Sequence, residues 1–205
     1  MSFKDIPISL FDLLLVAVLA AGLFSGRRHG MSEELLDLLK WLAVLFGCAS
    51  IYGELGDELA RSTKVFGLLS CYIVAYLGAA LTIIILFALL KRVAGGKLLG
   101  SDIFGRTEYY LGMMSGMVRY GCVLLAALAL LNARSFNTAE VRAMHDFQNY
   151  QFGTDLFPTV QTVQTLVFDK SLMGPWIQQN LGFLLIKRTE PDRKRYRLPE
   201  ASLPL

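Results

Sequence analysis

Asp12, Glu34, Asp37 and Arg119 are ionisable residues placed inside, or at the edge of, long apolar runs. A carboxylate or guanidinium at the centre of a bilayer costs about 3 kcal/mol unless it finds water, an opposite charge or a helix end. Asp12 is therefore the first candidate for chemistry. It either caps its own helix near the interface or faces a hydrated cavity, where it would bind a cation or a proton. Arg119 poses the same problem with the opposite sign. Glu34 and Asp37 open the second apolar stretch at a depth similar to that of Arg119, so an ion pair between the two helices is expected.

Other constellations are weaker. His29 and His145 are the only histidines and are far apart, so nucleophilic catalysis lacks a base and no group has metal-ligand spacing. Cys48, Cys71 and Cys122 each fall in an apolar stretch and read as small packing residues rather than a disulfide framework. The loop Val93 to Asp102 is rich in glycine, but Lys97 follows the wrong spacing for a phosphate loop. A turn followed by a short interfacial helix through Phe104 is the expectation. The chain is expected to be no enzyme and to need no cofactor.

The elements that must hold these residues are four apolar stretches: Ile8 to Phe24, Leu35 to Ile51, Val65 to Leu90 and Leu111 to Leu131. A hydrocarbon core of about 30 Å needs roughly 20 apolar helical residues, and irregular backbone cannot face lipid. The third stretch is the most decisive, with 15 Leu, Ile, Val or Phe residues and no charge. The first has 11 such residues, worth roughly 5 kcal/mol of insertion, which outweighs Asp12. The fold class is an all-α membrane protein with four transmembrane helices. Apolar residues at 54% and charged residues at 18% of 205 positions agree with that class, and a net charge of +3 is too small to argue for nucleic acid.

Two regions are expected: a membrane domain over 1–134 and a polar, amphipathic tail over 135–205. In the tail, Val160, Val163, Leu166 and Val167 recur at helical spacing after Pro158, giving an amphipathic helix too short to span. Gly174 and Pro175 are expected to break it, with Trp176 and the run Leu181 to Ile186 adding apolar surface. The tail then lies on the membrane face or on the bundle, or binds a partner, and the residues after Arg188 are expected to be disordered. Lys and Arg in the connections number six on one side (Arg27, Arg28, Lys91, Arg92, Lys97, Arg106) and five on the other (Lys4, Arg61, Lys64, Arg134, Arg142). The bias places both termini outside the cytoplasm.

Gly112 and Gly116, four apart, open one face of the last span to close backbone approach, either within the chain or through self-association. Gly26 and Gly30 share that spacing but flank Arg27 and Arg28, where a turn is expected. With Asp12 early in the first helix and Gly30-Met31-Ser32-Glu33-Glu34 leading into the second, the chain resembles the CvpA family, the colicin V production proteins. The family's second signature is an Asp-Arg pair, a Leu-Gly, a Gly four residues on and an Arg-Gly. Here Leu111, Gly112, Gly116 and Arg119 fit it, Glu108 and Tyr109 replace the pair, and Gly121 comes one place late. The resemblance covers Asp12 to about Arg134 and leaves out the tail.

What it implies is a multi-pass protein of the bacterial inner membrane, linked to toxin production or export and to envelope homeostasis. Asp12, Gly30, Glu34 and Arg119 are its candidate functional residues. Larger members carry a protease on the outer side after the four helices, in line with outside termini. The expected partners are the lipid bilayer and other membrane proteins. A scaffold or complex subunit is the leading mechanism, and a channel or transporter subunit using Asp12 and Arg119 is the alternative.

Overall fold

The computed structural model describes residues 9–63, 66–94, 107–137, 141 and 159–190, with the side chains of 29–33 left outside that description. The first element, α1 (Leu10–Ser62), is helical over 53 residues. Straight, it would run about 80 Å, more than twice the thickness of a hydrocarbon core. It does not run straight. The Arg119 guanidinium reaches Ser25 Oγ at 3.0 Å and Glu34 Oε2 at 2.8 Å, although residues nine apart on one straight helix stand about 13 Å apart along the axis and point to opposite sides. The element therefore doubles back between Arg28 and Glu34. Its two arms, Leu10–Arg28 and Glu34–Ser62, are each long and apolar enough to cross a membrane, as are the helices α2 (Leu68–Ala94) and α3 (Glu108–Asn132). Four spans result, on helices that match the four apolar stretches of the sequence.

The second arm runs farther than its apolar stretch. Glu54 to Arg61, expected in a connection, is helical. The segment holds no proline, Gly56 lies close against the ring of Tyr72, and the Tyr72 hydroxyl donates to Asp57 at 2.8 Å. Tertiary contact from α2 thus extends the helix beyond the point where hydrophobicity stops.

α2 packs along the second arm, while α3 packs along both arms. Gly56 sits at Tyr72, Gly47 at Ile83 and Asp37 within 4.0 Å of Lys91, so α2 runs antiparallel to the second arm. The outer side of α2 leaves Leu77, Leu81, Ile85 and Leu89 exposed in one i, i+4 row. A face of this kind belongs in lipid.

Glycine sets the closest approach. Gly26 meets the Gly112 carbonyl and Gly22 the Gly116 carbonyl, so the first arm and α3 cross with backbone against backbone. A Cβ at Gly22 would lie 2.7 Å from Gly116 O, and one at Gly116 would lie 2.8 Å from Gly26 Cα. The expected turn at Gly26 is corrected: it is a helical packing residue, because a partner helix needs its bare backbone. The Gly112/Gly116 face is filled from within the chain.

The tail forms α4 (Val160–Phe168), α5 (Met173–Leu181) and a 3-10 turn (Gly182–Leu184). These pack over one end of the bundle. Phe168, Ile177, Leu185 and Ile186 share a core cluster with Phe11, Val44, Cys48, Tyr76 and Leu128. Gly174 and Pro175 do not break a helix as expected but lie in the first turn of α5, a position that suits proline. The break falls at Asp169 to Leu172 instead. Ser9 Oγ stands 3.5 Å from Leu166 O, so the chain start and the tail lie at the same end of the bundle. The expected interfacial helix before α3, His145 and residues 191–205 lie outside the described residues, and the disorder expected from Arg188 onward is corrected at its start, where Arg188 and Thr189 are held by hydrogen bonds to Asn132, Ala133 and Ser135.

Gly116→Val should push the first arm and α3 apart and lower the melting temperature in detergent by several degrees or more. Gly78, with open space around its missing side chain, should accept alanine without loss. Equal effects of Gly116→Val and Gly78→Ala in a thermal unfolding series would show that the glycine crossing is unimportant.

Candidate functional site

The embedded charges gather at two places, one at each end of the bundle. At the first, Arg119 of α3 points into the helix assembly with 15% of its side chain exposed, and Glu34 beside it is 1% exposed. The pair expected from the sequence is formed, Nη1 to Oε2 at 2.8 Å, and Asp37 Oδ2 stands 3.6 Å from the same nitrogen. The network then spreads outward. Lys40 Nζ lies 2.9 Å and Lys91 Nζ 4.0 Å from Asp37, the Arg119 guanidinium lies 5.1 Å over the Tyr120 ring, and its other nitrogen donates to Ser25. Every span contributes a group: Ser25 from the first arm, Glu34, Asp37 and Lys40 from the second, Lys91 from α2 and Arg119 from α3.

Burial decides what this network can do. Removing one member of a buried pair leaves an uncompensated charge and typically costs about 3–5 kcal/mol. Arg119 and Glu34 are thus held by each other, with the other nitrogen of the guanidinium fork donating to Ser25, and Asp37 within ion-pair distance. The arrangement locks helices together.

At the other end, Asp12 closes a second junction. Its Oδ2 accepts the Ser9 N–H at 3.0 Å, completing a capping box at the start of the first arm. The same oxygen accepts the Leu172 N–H at 3.1 Å, and Oδ1 accepts the Met173 N–H at 3.2 Å. Two helix N-termini, those of α1 and α5, converge on one carboxylate, where both dipoles favour negative charge. Of the readings open from the sequence, capping is the one the geometry realises. It also joins the tail to the first span, which no local pattern announced.

The tail is fixed at a second point by Asn132 at the end of α3. Its amide donates to Ile186 O at 3.0 Å, and its carbonyl oxygen accepts from Arg188 Nε at 3.1 Å and from Gln178 Nε2 at 3.4 Å. Gln164, on what reads as the polar face of α4, is buried instead and donates to Leu131 O and Arg134 O. Those carbonyls lie in the last turn of α3 and two residues past its end, where helical partners run out. The Lys187 N–H donates to Tyr52 Oη, and Thr189 exchanges backbone hydrogen bonds with Ala133 and Ser135.

Sequence reasoning reached Asp12, Glu34, Arg119, Gly112 and Gly116 as candidates, and missed Gly22, Ser25, Asn132 and Gln164. Gly22 and Gly26 carried a usable signal: they are spaced four apart as Gly112 and Gly116 are. Asn132 and Gln164 carried none, since a polar residue beside an apolar run is ordinary. Gly30 falls within 29–33, where the side chains are outside the described ones. Among the described residues no group of three or more His, Cys, Asp or Glu could hold a metal ion.

The sequence of the chain matches a family model described as colicin V production protein, over residues 11–178. The chain belongs to that family. It is a multi-pass membrane protein of the CvpA type. The matched range also corrects the extent expected from the motifs, for it runs past Arg134 through α4 and into α5. The reason is visible in the fold, because the tail shares the core of the bundle rather than hanging from it. No match was found among curated proteins or among solved structures.

The ion pair yields a direct test. Arg119→Gln and Glu34→Gln should each destabilise the CvpA-like domain by about 3 kcal/mol or more, and the double variant should be less harmful than the sum by about 1–3 kcal/mol. Additive losses in a double-mutant cycle, followed by unfolding in detergent, would dissolve the pairing.

Proposed function

We propose that this chain is a non-catalytic scaffold or complex subunit of the bacterial inner membrane, serving toxin production or export and envelope homeostasis. One observation carries the reading: the two embedded candidates for transport chemistry, Asp12 and Arg119, are each closed by protein partners. Asp12 is bound by three backbone N–H groups and Arg119 by Glu34, Asp37 and Ser25. Groups spent in this way hold helices and tail in register. A channel or transporter subunit would need them turned toward water. A surface open to membrane partners is the outer row of α2, Leu77, Leu81, Ile85 and Leu89.

In this reading the basic ends, Arg27 with Arg28 and Lys91 with Arg92, face the cytoplasm, and the chain start and the tail face outside. Cysteines placed at Arg28 and Thr63 in a cysteine-free background test the orientation. An impermeant maleimide on intact cells should label the Thr63→Cys protein and spare the Arg28→Cys protein; the reverse pattern would invert the topology.

Liposomes containing only this protein should pass neither protons nor small ions above the empty-vesicle rate. Asp12→Ala should leave that rate unchanged while exposing residues 159–190 to protease. Flux that Asp12→Ala abolishes would replace the scaffold by the channel.

A further inference from the structure

Where the first arm and α3 cross, the basic end of the bundle carries an arrangement that the ion-pair network does not use. The Gly26–Gly112 contact brings the two backbones together, and one residue later the Arg27 guanidinium lies 5.0 Å over the ring of Tyr109. Tyr109 packs edge-on against Tyr110 at 5.6 Å, and Tyr110 is 70% exposed. Arg28, the next residue along the helix, is also exposed. Among the described residues no carboxylate lies within ion-pair distance of Arg27 or Arg28, whereas Arg119, Lys40 and Lys91 all have one. One helical turn deeper, Leu23 follows Arg27 and Met113 follows Tyr109 at i, i+4 spacing, both half-buried.

We propose that this mouth between the first arm and α3 binds the headgroup phosphate of an anionic phospholipid. The chemistry is matched part by part. A guanidinium held over an aromatic ring, with no carboxylate beside it, keeps N–H groups for phosphate oxygens, which arginine serves in pairs. Tyrosines at the same level suit the headgroup region, and the apolar surface below Arg27 and Tyr109 receives an acyl chain. Each basic side chain near an anionic surface raises binding roughly fivefold. A zwitterionic headgroup presents its own ammonium to the two arginines and loses that gain.

The test uses the full chain in mild detergent with phosphatidylglycerol or phosphatidylethanolamine of the same acyl composition added back. Phosphatidylglycerol should raise the melting temperature more than phosphatidylethanolamine, and Arg27→Gln with Arg28→Gln should abolish the difference. Arg61→Gln, at the opposite end and 79% exposed in its side chain, should leave it intact. A difference that survives the double variant, or one that Arg61→Gln removes equally, overturns the site. So does an equal shift from inorganic phosphate, which would make it a site for free anion. Because the double variant alters two residues beside the glycine crossing, a photoactivatable phosphatidylglycerol supplies a readout on the unaltered protein. Crosslinks should fall on the peptides holding Leu23 and Met113, and crosslinks confined to other spans would sink the proposal.

Discussion

The Arg119 guanidinium is the constraint on which the membrane domain depends. A buried cation in an apolar assembly has few ways to be tolerated, and here it takes groups from both arms of α1 at once. That demand brings Ser25 and Glu34 to a single point and so fixes the α1 hairpin. It also sets the depth of α3 against both arms. Through Asp37 the same network extends to Lys91, the contact that places the end of α2. Polar and charged interactions of this kind are directional in a way that lipid-facing hydrophobic packing is not.

Glycine supplies the complementary condition. Arg119 can reach both arms only because α3 lies so near the first one, and that proximity exists because Gly22, Gly26, Gly112 and Gly116 present backbone alone. In a bilayer, association gains little from removing apolar surface, since lipid tails are as apolar as the helices. Close van der Waals contact must do what water exclusion does in a soluble core. The Arg119–Ser25 contact and the glycine crossing therefore share the first arm and α3, about one turn apart.

The far end is held differently. There Asp12, Asn132 and Gln164 satisfy backbone groups at helix ends, and Phe168, Ile177 and Ile186 close the core. Two functions of polar residues are thus separated along the membrane normal: a buried ion pair at the basic end and helix capping at the end that receives the tail. A family match that extends to residue 178 accords with a tail built into the core.

Hydrophobicity and length alone determined the four spans, because an uncharged run such as Val65 to Leu90 has no other stable environment, and they determined that Asp12 and Arg119 must find partners. Charge sign and depth were enough to anticipate an ion pair of Arg119 with Glu34 or Asp37, and the tertiary structure puts Glu34 the nearer. Which partner Asp12 takes was decided only in three dimensions, since the N–H groups it binds come from residues 160 and 161 positions away. The same holds for Gly26, read locally as a turn, and for Gln164, which lies between the apolar positions of α4 and is nevertheless buried. A one-dimensional pattern records how apolar each residue is and how often it recurs, but a backbone carbonyl or N–H group left open at a helix end appears nowhere in the side-chain alphabet, and those groups chose where the tail would bind.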